Sequence, residues 1–74
     1  MSKLPSLTSK KVITILQKKG FTLERTKGSH QIFRNSETKR MAIVPFHKKD
    51  LPKGTLLEIL KQAGISREEI DALL

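Results

Sequence analysis

Two stretches with helical spacing bracket three short segments rich in β-branched and aromatic residues, and this double change of hydrophobic period restricts the fold more than any single residue does. After a polar arm, SKKVITILQKKGF places Val12, Ile13 and Leu16 on one stripe, with Lys10, Lys11, Lys18 and Lys19 away from it. Ser9 is the candidate cap of this first helix, Gly20 its stop, and Phe21 is placed to fold back onto the stripe. FTLERTK, HQIFR and RMAIVPF then read as strands of an antiparallel meander. Gly28-Ser29 is a two-residue link of the kind that closes tight hairpins, whereas Asn35-Ser36 begins a longer turn. Pro45 cannot donate to a ladder, so the third strand should end there or carry that position at an edge. PKGTLLEILKQAG restores helical spacing through Leu56, Ile59, Leu60 and Ala63, opened by a predicted capping box of Thr55 and Glu58 and stopped by Gly64. A second box, Ser66 with Glu69, opens a short last helix whose Ile70, Leu73 and Leu74 can dock on the rest.

The predicted order is therefore α-β-β-β-α with an extra C-terminal helix. Two amphipathic helices can cover only one face of a three-stranded sheet, which predicts a two-layer α+β sandwich and a single domain over residues 1–74. Double-stranded-RNA-binding domains share this order, although order alone does not assign function. A chain of 74 residues buries only about 60% of its unfolded surface, so the core must be small. It contains no cysteine, and two histidines without a thiolate leave a structural zinc site short of ligands, so the expectation is a reducing compartment and no metal or cofactor. MSKLPSLTSKK assembles no apolar signal-peptide core, and no apolar run approaches the roughly 20 residues of a membrane span. The reading is a soluble, cytoplasmic chain without a membrane partner.

Charge narrows the function further. Residues 1–53 hold thirteen Lys/Arg against three Asp/Glu, and residues 54–74 hold two against four, so the net +8 is polarised along the chain. Such a surface attracts phosphate backbones by Coulomb attraction and counterion release. The plainer alternative is that the lysines keep a small protein soluble. A membrane-surface role has less support, because the helices lack an aromatic face to insert. The sequence has no Walker loop, no G-x-G-x-x-G, no paired catalytic carboxylates and no cysteine nucleophile. With three phenylalanines and neither tyrosine nor tryptophan, a base-stacking platform is not expected, and recognition should lean on phosphates and shape.

Within TKGSHQIFR, His30 follows the Gly28-Ser29 link and stands close to Lys27. Imidazole can take and return a proton near neutral pH, the small residues before it leave an exposed N–H, and Lys27 could hold a phosphate while the ring acts on it. For RNA, removing the 2′-hydroxyl proton would let that oxygen attack the adjacent phosphorus without a metal. The alternative is a half-buried polar residue that only satisfies a backbone carbonyl. Alternation groups His30 with Ile32 and Arg34 against Gln31 and Phe33, and since each face carries an apolar residue the direction of His30 stays open. A second cluster lies in PFHKKDLPKGT, where Lys48, Lys49 and Lys53 approach a helix start whose free N–H groups attract an anion. Ordinary solvated lysines are the competing reading. His47 can assist or merely brace the loop, and Asp50 has no second carboxylate nearby for a two-metal site.

The ordered set G-F, G-S-H, P-x-H and G-T-L-x-x-I-L-K-Q-A-G resembles the HicA family of toxin proteins, a likeness that covers nearly the whole chain from the first helix to Ile65-Ser66. The resemblance implies a double-stranded-RNA-binding-like fold, ribosome-independent cleavage of mRNA, and His30 as the catalytic residue. It also implies a HicB-like antitoxin that masks the active site, with DNA contacted only indirectly through that complex. His47 matches the P-x-H histidine without a firm catalytic role. The combined expectation is a metal-independent endoribonuclease using His30, with Lys27, Gly28, Ser29, Lys48, Lys49 and Lys53 binding RNA and His47 as a possible auxiliary. A non-catalytic double-stranded-RNA-binding module on the same basic face is the alternative, and a surface for an acidic protein partner would need the same charges.

Overall fold

The computed structural model describes residues 5–73, so the docking expected of Leu74 lies outside the described residues. Its elements are α1 (Ser9–Lys18), β1 (Phe21–Lys27), β2 (His30–Asn35), β3 (Met41–Pro45), α2 (Lys53–Ala63) and α3 (Arg67–Leu73). The strands pair antiparallel in the order β1-β2-β3, and the expected α+β layout, including the extra C-terminal helix, is the observed one.

Three local details differ from the sequence reading. Thr8, not Ser9, caps α1: its backbone is extended and its Oγ1 accepts a hydrogen bond from the Lys11 N–H at 3.2 Å. Ser9 is instead buried inside the first turn and donates its hydroxyl to the Pro45 carbonyl at 2.9 Å. The stripe that packs on the sheet is Val12, Ile15 and Leu16, an i, i+3, i+4 set, which leaves Ile13 partly buried at its margin. Finally, α2 starts at Lys53, before the predicted Thr55–Glu58 box, and no side chain caps it. The Pro52 carbonyl already accepts from the Leu56 N–H at 2.9 Å, so the helix is under way when Thr55 is reached.

Phe33 on β2 and Ala42 and Val44 on β3 face the helices and share one core with Val12, Leu16, Leu56, Ile59 and Ile70. Asn35 is the polar exception. Its Nδ2 donates to the Lys19 carbonyl at 3.0 Å, and its Oδ1 accepts from the Glu37 and Thr38 N–H groups at 2.9 and 3.2 Å. One buried amide thereby ties the end of α1 to the β2–β3 turn. On the outer edge of β3, Gln62 Oε1 accepts from the Ile43 N–H at 3.0 Å, covering an edge donor that would otherwise invite another strand.

The segment before α1 is more than a polar arm. Leu7 is buried in the core, its carbonyl accepts from the Leu51 N–H at 2.8 Å, and Thr8 forms an antiparallel bridge with Asp50. The loop after β3 is therefore held against the start of α1.

Gly64 ends α2 in the left-handed conformation, at φ 72°, as its position predicts. The Ser66–Glu69 box then opens α3: the Glu69 N–H donates to Ser66 Oγ, and Glu69 Oε1 accepts from the Ser66 N–H, both at 3.2 Å. Glu69 also pairs with Lys19 at the end of α1. The Lys19 ammonium, followed by the Ser66 N–H, holds the Glu69 carboxyl below the usual carboxylate range. A folded-state value below the unfolded one means that this contribution is complete above the unfolded value and is lost as pH falls through the folded one. Glu69→Gln should accordingly lower the thermal midpoint at neutral pH, with the gap to the parent closing on acidification. Parallel Tm curves across the acidic range would contradict the assignment.

Candidate functional site

The β1–β2 hairpin builds the first part of the site. Lys27 and His30 are its last paired residues, and Gly28 sits between them at φ 60° while Ser29 keeps a negative φ, the pattern of a type II′ turn. A Cβ at Gly28 would meet nothing within 4 Å, so glycine is required there by the backbone alone. One residue of irregularity between Leu23 and Arg25 shifts the register of β1, which restores the pairing that reaches Lys27 and His30.

The direction of His30 follows from the register. Phe33 faces the helices, so alternation turns Ile32 and His30 to the opposite face of the sheet. Ile32 is well covered but stands outside the helix-side core, as that geometry requires. Cross-strand partners share a face, so Arg25, Lys27, Ile43 and Pro45 join His30 and Ile32 there, with Met41 and Arg34 forming the adjacent pair. His30 is exposed, paired with Lys27 on one side and Pro45 on the other. The reading of His30 as a half-buried residue satisfying a carbonyl does not fit this position. Exposure on a central strand gives the ring solvent access on a backbone held from both sides.

On the helix side of the same sheet end lies an open groove of ≈ 860 Å³. The start of α1 lines it with Thr8, Lys10 and Ile13, the hairpin with Thr26, Gly28 and Ser29, and the loop after β3 with Phe46, His47 and Lys48. Of the residues singled out in the sequence, Gly28, Ser29, His47 and Lys48 thus meet in the groove. Lys27 and His30 occupy the other face of the same hairpin, and Lys49 and Lys53 are exposed without lining the groove. The lysine clamp expected at the start of α2 is therefore divided, with Lys48 carried toward α1. His47 braces its loop, its Nδ1 lying 3.3 Å from the Lys49 carbonyl. Among the described residues, no three His, Asp or Glu side chains gather into a set that could hold a metal ion.

Sequence reasoning overlooked Phe46. Phe21 and Phe33 are buried at 2% and 1% exposure, whereas Phe46 is 66% exposed. The available signal was its place immediately after Pro45, where the ladder ends and alternation no longer decides which residues go inside. The contribution of α1 to the groove was also missed, because nothing local announces that Leu7 and Leu51 bring the two segments together.

A family model described as the HicA toxin of bacterial toxin–antitoxin matches residues 9–65, from the first residue of α1 through the end of α2. No curated protein matches the sequence significantly.

Proposed function

Because the chain belongs to the HicA toxin family of bacterial toxin–antitoxin systems, we propose that it is an endoribonuclease that cleaves mRNA independently of the ribosome and of metal ions. The observation that carries this reading is His30, exposed at the mouth of the hairpin directly across the ladder from Lys27. Cross-strand partners stand about 5 Å apart at Cβ, which is within reach for an imidazole and an ammonium acting on one phosphodiester.

His30 takes the proton of the ribose 2′-hydroxyl, and the freed oxygen attacks the adjacent phosphorus. The bond from phosphorus to the 5′-oxygen breaks, that oxygen takes up a proton from solvent to leave as a hydroxyl, and His30 returns the proton it abstracted to solvent. The products are a 2′,3′-cyclic phosphate and a 5′-hydroxyl, and this step consumes no water. Lys27 stabilises the negative charge that develops on the phosphoryl oxygens. The backbone N–H groups beside Gly28 and Ser29, together with Lys48, Lys49, Lys53 and the start of α2, hold the flanking phosphates.

The partner in this reading is a HicB-like antitoxin that covers the His30 face, where Arg25, Lys27 and Arg34 share one side of the sheet with exposed Met41 and Ile43. An acidic, partly apolar surface would complement it. Contact with DNA would come only through that complex. No helix among the described residues is long and apolar enough to cross a membrane, and the proposed place of action is the cytoplasm.

The mechanism is tested on the substrate. A labelled single-stranded RNA incubated with the chain in excess chelator should be cut to cyclic phosphate ends. The same oligonucleotide with 2′-deoxyribose at the mapped cleavage positions should remain intact there. Equal cutting of the deoxy-substituted strand would rule out attack by the 2′-oxygen.

A further inference from the structure

Phe46 is the large apolar side chain most exposed among the described residues, and it lines the open groove. Its backbone N–H donates to the Ser29 carbonyl at 2.7 Å, which fixes it to the residue just before His30. Pro45, its neighbour in the chain, is the cross-strand partner of His30. Consecutive Cα atoms are about 3.8 Å apart, so the backbones at Phe46 and His30 meet at one end of the sheet, with Phe46 lining the groove on the helix side and His30 on the opposite face.

The groove around Phe46 has two chemistries. Phe46 and Ile13 supply apolar surface, while Lys10 and Lys48 supply positive charge. The first turn of α1 carries no acidic residue to offset them. Gln31, partly buried, adds an amide with both donor and acceptor capacity. An aromatic face beside cations is what a single nucleotide requires, a flat base to stack and a phosphate to neutralise. The groove volume, ≈ 860 Å³, is sufficient for a ligand of that size.

We propose that Phe46 stacks against the base of an unpaired nucleotide flanking the cleaved phosphodiester, so that the groove binds single-stranded RNA and the duplex-shaped recognition suggested by element order is not the operative mode. This deepens the endoribonuclease reading and rests on it. The strand would pass over the Gly28-Ser29 turn, with one nucleotide in the groove and the next phosphate at His30. Stacking requires only a π-face, so Phe46 contributes affinity and register and leaves base identity to neighbours such as Gln31.

The test uses the intact chain and a fluorescent single-stranded oligoribonucleotide made uncleavable by 2′-O-methyl groups, with binding read by anisotropy. Phe46→Ala and Phe46→Leu should each bind roughly tenfold more weakly than the parent, the scale of one lost base stack, whereas Phe46→Tyr should stay within about twofold. An oligonucleotide with abasic linkers should lose the same affinity for the parent and bind the parent and Phe46→Ala alike. Thermal midpoints of all variants should match the parent, because residue 46 is outside the core. Parent-like RNA binding by Phe46→Ala would overturn the proposal. Full recovery in Phe46→Leu would overturn stacking in favour of simple apolar contact. Cleavage assays on ordinary RNA separate this inference from the one beneath it. Cutting without any dependence on residue 46 sinks the stacking role alone, whereas stacking-dependent binding without cutting sinks the nuclease alone.

Discussion

His30→Ala should leave RNA essentially uncut while still binding it. A positioned general acid or base contributes about 10²- to 10⁴-fold to rate, and Lys27, the cross-strand partner of His30, is placed to stabilise charge and not to take the proton. The loss should fall on kcat, since an imidazole that acts in the transition state adds little to ground-state affinity. Because His30 is exposed, the variant should unfold within about 0.5 kcal/mol of the parent, so loss of cutting cannot be attributed to loss of fold. The comparison with His47→Ala makes the assignment exclusive. His47 lies in the groove with its Nδ1 near the Lys49 carbonyl, and its removal should loosen the Lys48–Lys49 loop and weaken binding more than turnover. Abolished cleavage in His47→Ala with an active His30→Ala would move the chemistry to the groove. A pair of variants that bind RNA like a parent that never cuts it would favour the non-catalytic module.

The second large effect concerns stability. Phe33→Ala should bring the chain to the edge of unfolding, because Phe33 is the largest of the fully buried side chains and sits on the central strand in the core shared with the helices. Phe→Ala in a core costs about 3–5 kcal/mol, and domains hold roughly 0.05–0.15 kcal/mol per residue, so much of the total for so short a chain would be lost. Its neighbour Ile32 is a sharp contrast. It is 7% exposed but lies on the other face, outside the helix-side core. Ile32→Ala should therefore shift the urea midpoint much less than Phe33→Ala. Equal shifts would mean that the sheet faces have been assigned the wrong way round, and with them the direction of His30.

Much of the architecture was legible because it is written in short-range terms. Gly28-Ser29 and Asn35 mark turns through their own backbone preferences, and Ser66 with Glu69 marks a helix start through a reciprocal pair three residues apart. The errors lie where a local rule had a tertiary competitor. Ser9 has the chemistry of a cap, yet it is drawn inward by the Pro45 carbonyl and leaves Thr8 to cap the helix. Thr55 and Glu58 have the spacing of a box, but Pro52 starts the helix before them. Phe46 was overlooked because it follows Pro45, where the ladder ends and alternation no longer says which side chains go inward.

The sequence by itself determined the order of the elements, the places where the chain turns, the basic polarity and the residue types able to do chemistry, since each depends on neighbours a few positions away. Tertiary structure alone decided which side of the sheet His30 occupies, because β2 carries apolar residues on both faces and only helix packing selects Phe33 over Ile32. It also decided that α1, the hairpin and the Phe46 loop share a groove. That meeting depends on Leu7 with Leu51, Ser9 with Pro45 and Phe46 with Ser29, contacts between distant parts of the chain that no local pattern encodes.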